Sequence, residues 1–164
     1  EQARLAAERE RARLAEEEEG RRREARSRAR RYADVSQSAR DTLNIVKKVG
    51  ARTEVGINYT QYMEVVGQAW GDVKIFAESP EGEDLWELSF SLTAAIEQYK
   101  EALDEWQKKF DTQSAAEKAA CDELLQLNWQ SAGVHTRRAE SLLDPAECES
   151  VLYQIDLARK TESR

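Results

Sequence analysis

From Tyr32 onward, apolar residues recur at alternating three- and four-residue spacing, in five blocks. The first runs through Tyr32, Val35, Ala39, Leu43, Val46 and Val49, the second through Tyr62, Val66, Ala69, Trp70, Val73 and Phe76. The third is the most regular, with Leu85, Leu88, Leu92, Ala95, Tyr99, Ala102, Trp106 and Phe110. Cys121, Leu125, Asn128, Ala132, His135, Ala139 and Leu142 make the fourth, and Cys148, Val151, Leu152, Ile155 and Ala158 the fifth. This period places each set on one face of an α-helix.

Breaker residues separate the blocks. Gly50 and Gly56 bracket the end of the first, which predicts a turn over 53–58, with Asn58 or Thr60 capping the next helix. Ser79-Pro80 reads as an N-cap followed by proline at the first helical position. A break is expected near Asp111–Ser114, and Asp144-Pro145-Ala146-Glu147 resembles a capping box that restarts the chain.

Residues 1–31 follow a different rule. Glu17, Glu18 and Glu19 precede Arg21, Arg22 and Arg23 by four positions, and Glu24 precedes Arg28. This is the favourable orientation for helical ion pairs, worth ~0.2–0.5 kcal/mol each. Of its apolar residues only Leu5 and Leu14 are bulkier than alanine, which makes a coiled coil with a partner the less favoured arrangement. The expectation is a single protruding helix that runs on into the first block, about 50 residues and ~75 Å long. The fold class expected is all-α: an antiparallel helical bundle of four to five helices with a long charged N-terminal extension. The division is a charged arm over 1–31, a bundle over 32–160 and a frayed tail over 161–164.

Charge sharpens that division. The arm holds eleven Arg and eight Glu, whereas residues 32–164 hold fourteen Lys and Arg against twenty-four Asp and Glu. An acidic globule does not attract DNA, so nucleic acid is disfavoured as a partner. No stretch reaches the ~18 apolar residues of a membrane span. No secretory leader is visible, but the chain starts at Glu1 rather than Met. An upstream signal or anchor would imply an extracytoplasmic or membrane-anchored protein, and its absence a cytoplasmic one.

Candidate chemistry is sparse. His135, the one histidine, falls on a helical stripe and reads as packing. Cys121 and His135 are fourteen residues apart on one helix, hence ~21 Å, too far to share an ion. There is no Cys-x-x-Cys, phosphate loop or nucleophile elbow. No catalytic residue, cofactor or metal is therefore expected. Cys121 and Cys148 would be offset by ~28 Å in a straight hairpin, so buried free thiols are expected rather than a disulfide. The remaining candidates are interaction residues. The run Arg21, Arg22, Arg23, Arg26, Arg28, Arg30 and Arg31 could meet a protein partner or an anionic lipid surface. No aromatics interleave there to stack bases. Trp70 and Trp106 fall on core stripes; Trp86 and Trp129 fall off them and are candidate interface residues.

Two segments carry a resemblance. The first is Ala51-Arg52-Thr53-Glu54-Val55-Gly56-Ile57-Asn58-Tyr59-Thr60-Gln61-Tyr62; the second is Leu124-Leu125-Gln126-Leu127-Asn128-Trp129 with His135 and Arg138-Ala139-Glu140-Ser141-Leu142-Leu143. Over roughly residues 40–143 the chain resembles a group of uncharacterised bacterial all-helical proteins with a T-x-V-G-(I/V)-N-Y-x-x-Y turn and a C-terminal W…A…H…R-A helix. The resemblance implies an exported or membrane-anchored setting and carries over no catalytic residues. The function expected is a non-catalytic structural or interaction protein, an accessory subunit or scaffold docking through its arm on a larger, membrane-associated assembly. The alternative is a helical module that binds a small apolar ligand or lipid near the tryptophans.

Overall fold

The computed structural model describes residues 1–162, and every regular element among them is helical. Seven α-helices are present among these residues: α1 (Gln2–Ala29), α2 (Gln37–Val55), α3 (Tyr59–Ala77), α4 (Pro80–Asp84), α5 (Trp86–Asp111), α6 (Ala115–Leu142) and α7 (Cys148–Glu162). The contacts divide the chain into two compact units, one of residues 1–34 with 142–164 and one of residues 35–141.

Two breaks raise the helix number above expectation. The arm does not run on into the next helix. A 3₁₀ turn over Arg30–Asp34 ends α1, and Ser36 then caps α2, its Oγ accepting from the Ala39 amide at 3.3 Å. Ser36 is also held by Glu81, which accepts from its backbone N–H at 2.8 Å and its hydroxyl at 2.5 Å. A helix through this point would lose both the cap and those two bonds. The second break is at Leu85, whose ψ of 48° interrupts the helix expected to run from Pro80 to Phe110. There the Gly82 carbonyl accepts from the Ser89 hydroxyl at 2.6 Å.

Two capping expectations hold. Asn58 accepts from the Gln61 amide at 2.9 Å, and Ser79 accepts from Gly82 N–H at 3.0 Å. The turn before α3 is shorter than 53–58, because α2 continues to Val55 and Gly56 alone takes a positive φ of 92°. At the last restart Asp144 Oδ1 accepts from the Ala146 amide at 2.9 Å, a local turn rather than a full box, and α7 begins at Cys148. Of the expected tail, Thr161 and Glu162 still belong to α7, while 163–164 lie outside the described residues.

The core of the 35–141 unit forms where α3 meets α2 and α5. Leu43, Val46 and Val49 from α2, Tyr62, Val66, Val73 and Phe76 from α3, and Leu88, Leu92, Ile96 and Tyr99 from α5 are all buried. Each such aliphatic side chain contributes about 1.5–3 kcal/mol by leaving water. α6 adds Leu125, Ala132, Thr136 and Ala139, so the buried position beside Ala132 is Thr136 rather than His135. Trp70 and Phe110, expected inward, are 40% and 57% exposed.

In the other unit α1 packs along α7. Ala25, Tyr32, Cys148 and Leu152 are buried, and Arg22 lies 5.4 Å from the Tyr153 ring centroid. Arg28 pairs with Asp156 and Arg26 with Glu149, the latter at 3.4 Å. The arm's C-terminal half is thus half of a helix pair, although its sequence carries almost no apolar stripe. No helix among the described residues is long and apolar enough to cross a membrane.

Candidate functional site

A groove of about 900 Å³ opens between α2 and α6 in the 35–141 unit, with Tyr99 of α5 in its lining. Two glycines line it. A Cβ on Gly50 would stand 2.7 Å from the Tyr99 hydroxyl oxygen, so a larger residue there would displace that hydroxyl. On α6, Gly133 leaves a gap over which the Arg137 guanidinium folds. Lys47 and Glu140 form an ion pair across the groove, and Thr53, Glu54, Gln126 and Gln130 supply polar groups along it.

One wall is Trp129, anchored by a chain of hydrogen bonds. Its indole N–H donates to the Tyr62 hydroxyl at 2.9 Å, and that hydroxyl donates to the Tyr99 carbonyl at 2.8 Å. Tyr99 is hydrogen-bonded in turn to Thr136. Around this chain the rings of Tyr59, Tyr62, Trp106, Phe110 and Trp129 meet in edge-on or tilted pairs, with centroids 5.1–6.1 Å apart. Trp129 is therefore half-buried in an aromatic cluster, one side facing the groove. The T-x-V-G-I-N-Y-x-x-Y segment supplies Tyr59 and Tyr62 to the same cluster. The sequence held that signal in the three-residue Tyr spacing, but nothing local shows that α5 and α6 each add a tryptophan.

Burial raises the pKa of both Tyr62 and Tyr99, so their hydroxyls stay protonated hydrogen-bonding groups around neutral pH. His135 shifts the opposite way, lowered by burial and then by the Arg138 charge, and its buried Nδ1 has no hydrogen-bond partner. A depressed histidine contributes stability that is complete above its ordinary pKa of 6.5 and is lost as pH falls through the lower folded value. The melting temperature should therefore fall between pH 7 and pH 5.5, and His135→Gln should flatten that slope. Parallel slopes for the two proteins in a thermal melt series would refute it.

The candidate arginines are mostly engaged within their own unit. Arg22 donates to Glu18 at 2.8 Å and Arg23 to Glu19 at 3.3 Å; Arg26 and Arg28 reach α7. Arg21 is half-buried and Arg31 is also engaged. Arg26 and Arg30 line a smaller cavity of about 280 Å³ with Tyr32 and Cys148. Arg22, Arg26 and Arg28 touch α7, while Arg22, Arg23, Arg26, Arg30 and Arg31 remain exposed. Trp86 is half-buried at the start of α5. Cys121 and Cys148 are free thiols, the first half-buried and the second buried. Among the described residues no group of three or more His, Cys, Asp or Glu is placed to hold a metal ion.

No protein-family model, curated protein or solved structure matches the chain.

Proposed function

We propose that the chain is a non-catalytic interaction protein, an accessory subunit or scaffold that docks on a larger assembly through the N-terminal half of α1. The observation that carries this reading is the exposure of every residue from Glu1 to Glu17, including Leu5 and Leu14. That stretch is ~25 Å of helix. A helix this short is marginal in water alone, but here it continues a segment held by α7. Residues 1–17 are exposed without interruption, so this stretch of the arm is the part offered whole to a partner. The architecture that accompanies this reading is an antiparallel bundle of four to five helices bearing the arm. The resemblance to bacterial helical proteins supports an extracytoplasmic or anchored setting.

The test compares full-length protein with a form lacking residues 1–17, as bait for co-purifying partners and against vesicles containing phosphatidylserine. Loss of a protein partner on truncation, with the 35–141 unit melting unchanged, is the expected result. Equal capture by both forms would sink the proposal, and a loss confined to vesicle binding would make the target a lipid surface.

The second reading, a helical module for a small ligand, is supported by the groove beside Trp129. Its amides, hydroxyls and charges suit a polar ligand better than the apolar one expected from the tryptophans.

A further inference from the structure

α6 carries two heptad seams. Leu125, Trp129, Ala132, Thr136 and Ala139, spaced alternately four and three apart, are buried or half-buried in the 35–141 unit. Ala120, Leu124, Leu127, Ser131 and Val134 repeat in the same rhythm about 140° round the helix. Leu124, Leu127 and Val134 are 46%, 58% and 49% exposed; Ala120 is exposed and Ser131 half-buried. These five side chains fall within an arc of about 80°, and no charged residue lies between them. From Ala115 to Leu124 no residue of the helix is buried. Such a seam is what one strand of a coiled coil presents to its partner.

The seam itself identifies the partner. Laid antiparallel on a second copy and crossing at the level of Trp129, it sets Leu124 opposite Val134 and Leu127 opposite Ser131 of that copy. Each layer then joins a larger side chain to a smaller one. Ala120 faces the stem of Arg138 of the second copy, whose guanidinium reaches past it to water. On the flank where the helices meet, the exposed Glu123 and Arg137 of the two chains come level to within about 3 Å along the axis. Both side chains tilt towards their own N-terminus, and in antiparallel helices that brings them together. The two-fold axis forms this pair twice. A parallel copy in register would instead stack Glu117 on Glu117 and Arg138 on Arg138, and leave Glu123 against the uncharged Asn128. Charges flanking a seam set its orientation, so these side chains select the antiparallel two-fold pair.

We propose that this chain self-associates through α6, as an antiparallel pair of helices packed along Ala120, Leu124, Leu127, Ser131 and Val134. The surface is separate from residues 1–17 of α1, and its occupant is a second copy of the chain. One helix pair over ~30 Å is a small interface, so the dimer should dissociate in the micromolar range.

Sedimentation velocity at low salt, over about 1 μM to 1 mM of the whole chain, tests it. The wild-type chain is expected to show a concentration-dependent monomer–dimer equilibrium. Leu127→Lys changes an exposed side chain, so its melt by circular dichroism should match wild type while association weakens about ten- to a hundredfold. Glu123→Arg and Arg137→Glu should each weaken association about three- to tenfold, and the double exchange should restore it. These charge exchanges leave the seam's packing intact, so they decide the matter even if Leu127→Lys alters the melt. Three outcomes overturn the proposal: a wild-type chain monomeric at every concentration, a folded Leu127→Lys protein that associates like wild type, or a double exchange no tighter than its single parents.

Discussion

Gly82→Ala is expected to lower the stability of the 35–141 unit by about 3–5 kcal/mol, the largest effect of any single added methyl group. The new Cβ would lie 2.0 Å from the Phe76 carbonyl oxygen, 2.8 Å from its carbon and 3.0 Å from Ala77 Cα. All three are backbone atoms at the end of α3, so no side-chain rotation relieves the clash. The chain around Gly82 cannot shift freely either, because its N–H is held by Ser79 Oγ and its carbonyl by Ser89 Oγ. Moving α4 outward breaks both bonds, each worth about 1 kcal/mol, and lifts the neighbouring Leu85 from the core. Urea unfolding followed by circular dichroism should show a lower midpoint with an unchanged slope. Gly20→Ala is the contrasting case: an open helix position where alanine should stabilise α1 by up to ~1 kcal/mol. If the two alanines behave alike, the packing argument at Gly82 fails.

The second large effect is expected from Asp156→Ala, which removes a buried counter-charge of Arg28. The two side chains are only 12% and 15% exposed, and Arg28 also reaches the Leu152 carbonyl at 3.4 Å. Removing the carboxylate takes an ion pair from a guanidinium largely out of water, a loss of ~2–4 kcal/mol. The damage should be local, with amides of α1 and α7 exchanging faster with deuterium while those of α3 and α5 keep their protection. Arg28→Met, which removes the charge and keeps much of the stem, should cost less than Asp156→Ala. Glu18→Gln breaks a solvated pair and should cost under ~0.5 kcal/mol. Uniform loss of protection across both units after Asp156→Ala would contradict a local role for this pair.

Periodicity located the helices well because most of their faces are amphipathic against one core. The stripes through Val46, Val66, Leu92 and Ala139 are buried as their spacing predicts. It misplaced residues at the ends of stripes. Phe110 continues the α5 pattern, but there it meets Tyr59 at the open end of the aromatic cluster and remains mostly exposed. Trp70 sits at the stripe's edge, where lysine ammonium groups border its ring. Trp129 lies off its stripe, yet it is drawn in because the Tyr62 hydroxyl accepts its indole N–H. A hydrogen bond between residues 67 positions apart leaves no trace in local spacing.

The arm shows the opposite failure. Its ion pairs at four-residue spacing were legible, and Arg22–Glu18 and Arg23–Glu19 are present. Its docking was not, because α1 meets α7 with alanine, arginine and one tyrosine rather than a row of leucines. Likewise, the groove beside Tyr99 is lined by Gly50 and Gly133, which in sequence are two ordinary glycines.

What the sequence alone determined is the helical state, most of the caps and the buried stripes. These depend on interactions within a few residues: hydrogen bonds at four-residue spacing, a serine or asparagine before the first turn, and the repeat that puts apolar groups on one side. What only the tertiary structure decided is where the helices stop at Arg30 and Leu85, which helix the arm packs on, and which aromatic rings meet. Those outcomes rest on contacts between distant segments, such as Ser36 with Glu81 or Arg28 with Asp156. Their energies exist only once two separately formed helices have come together, and so no local pattern of residues encodes them.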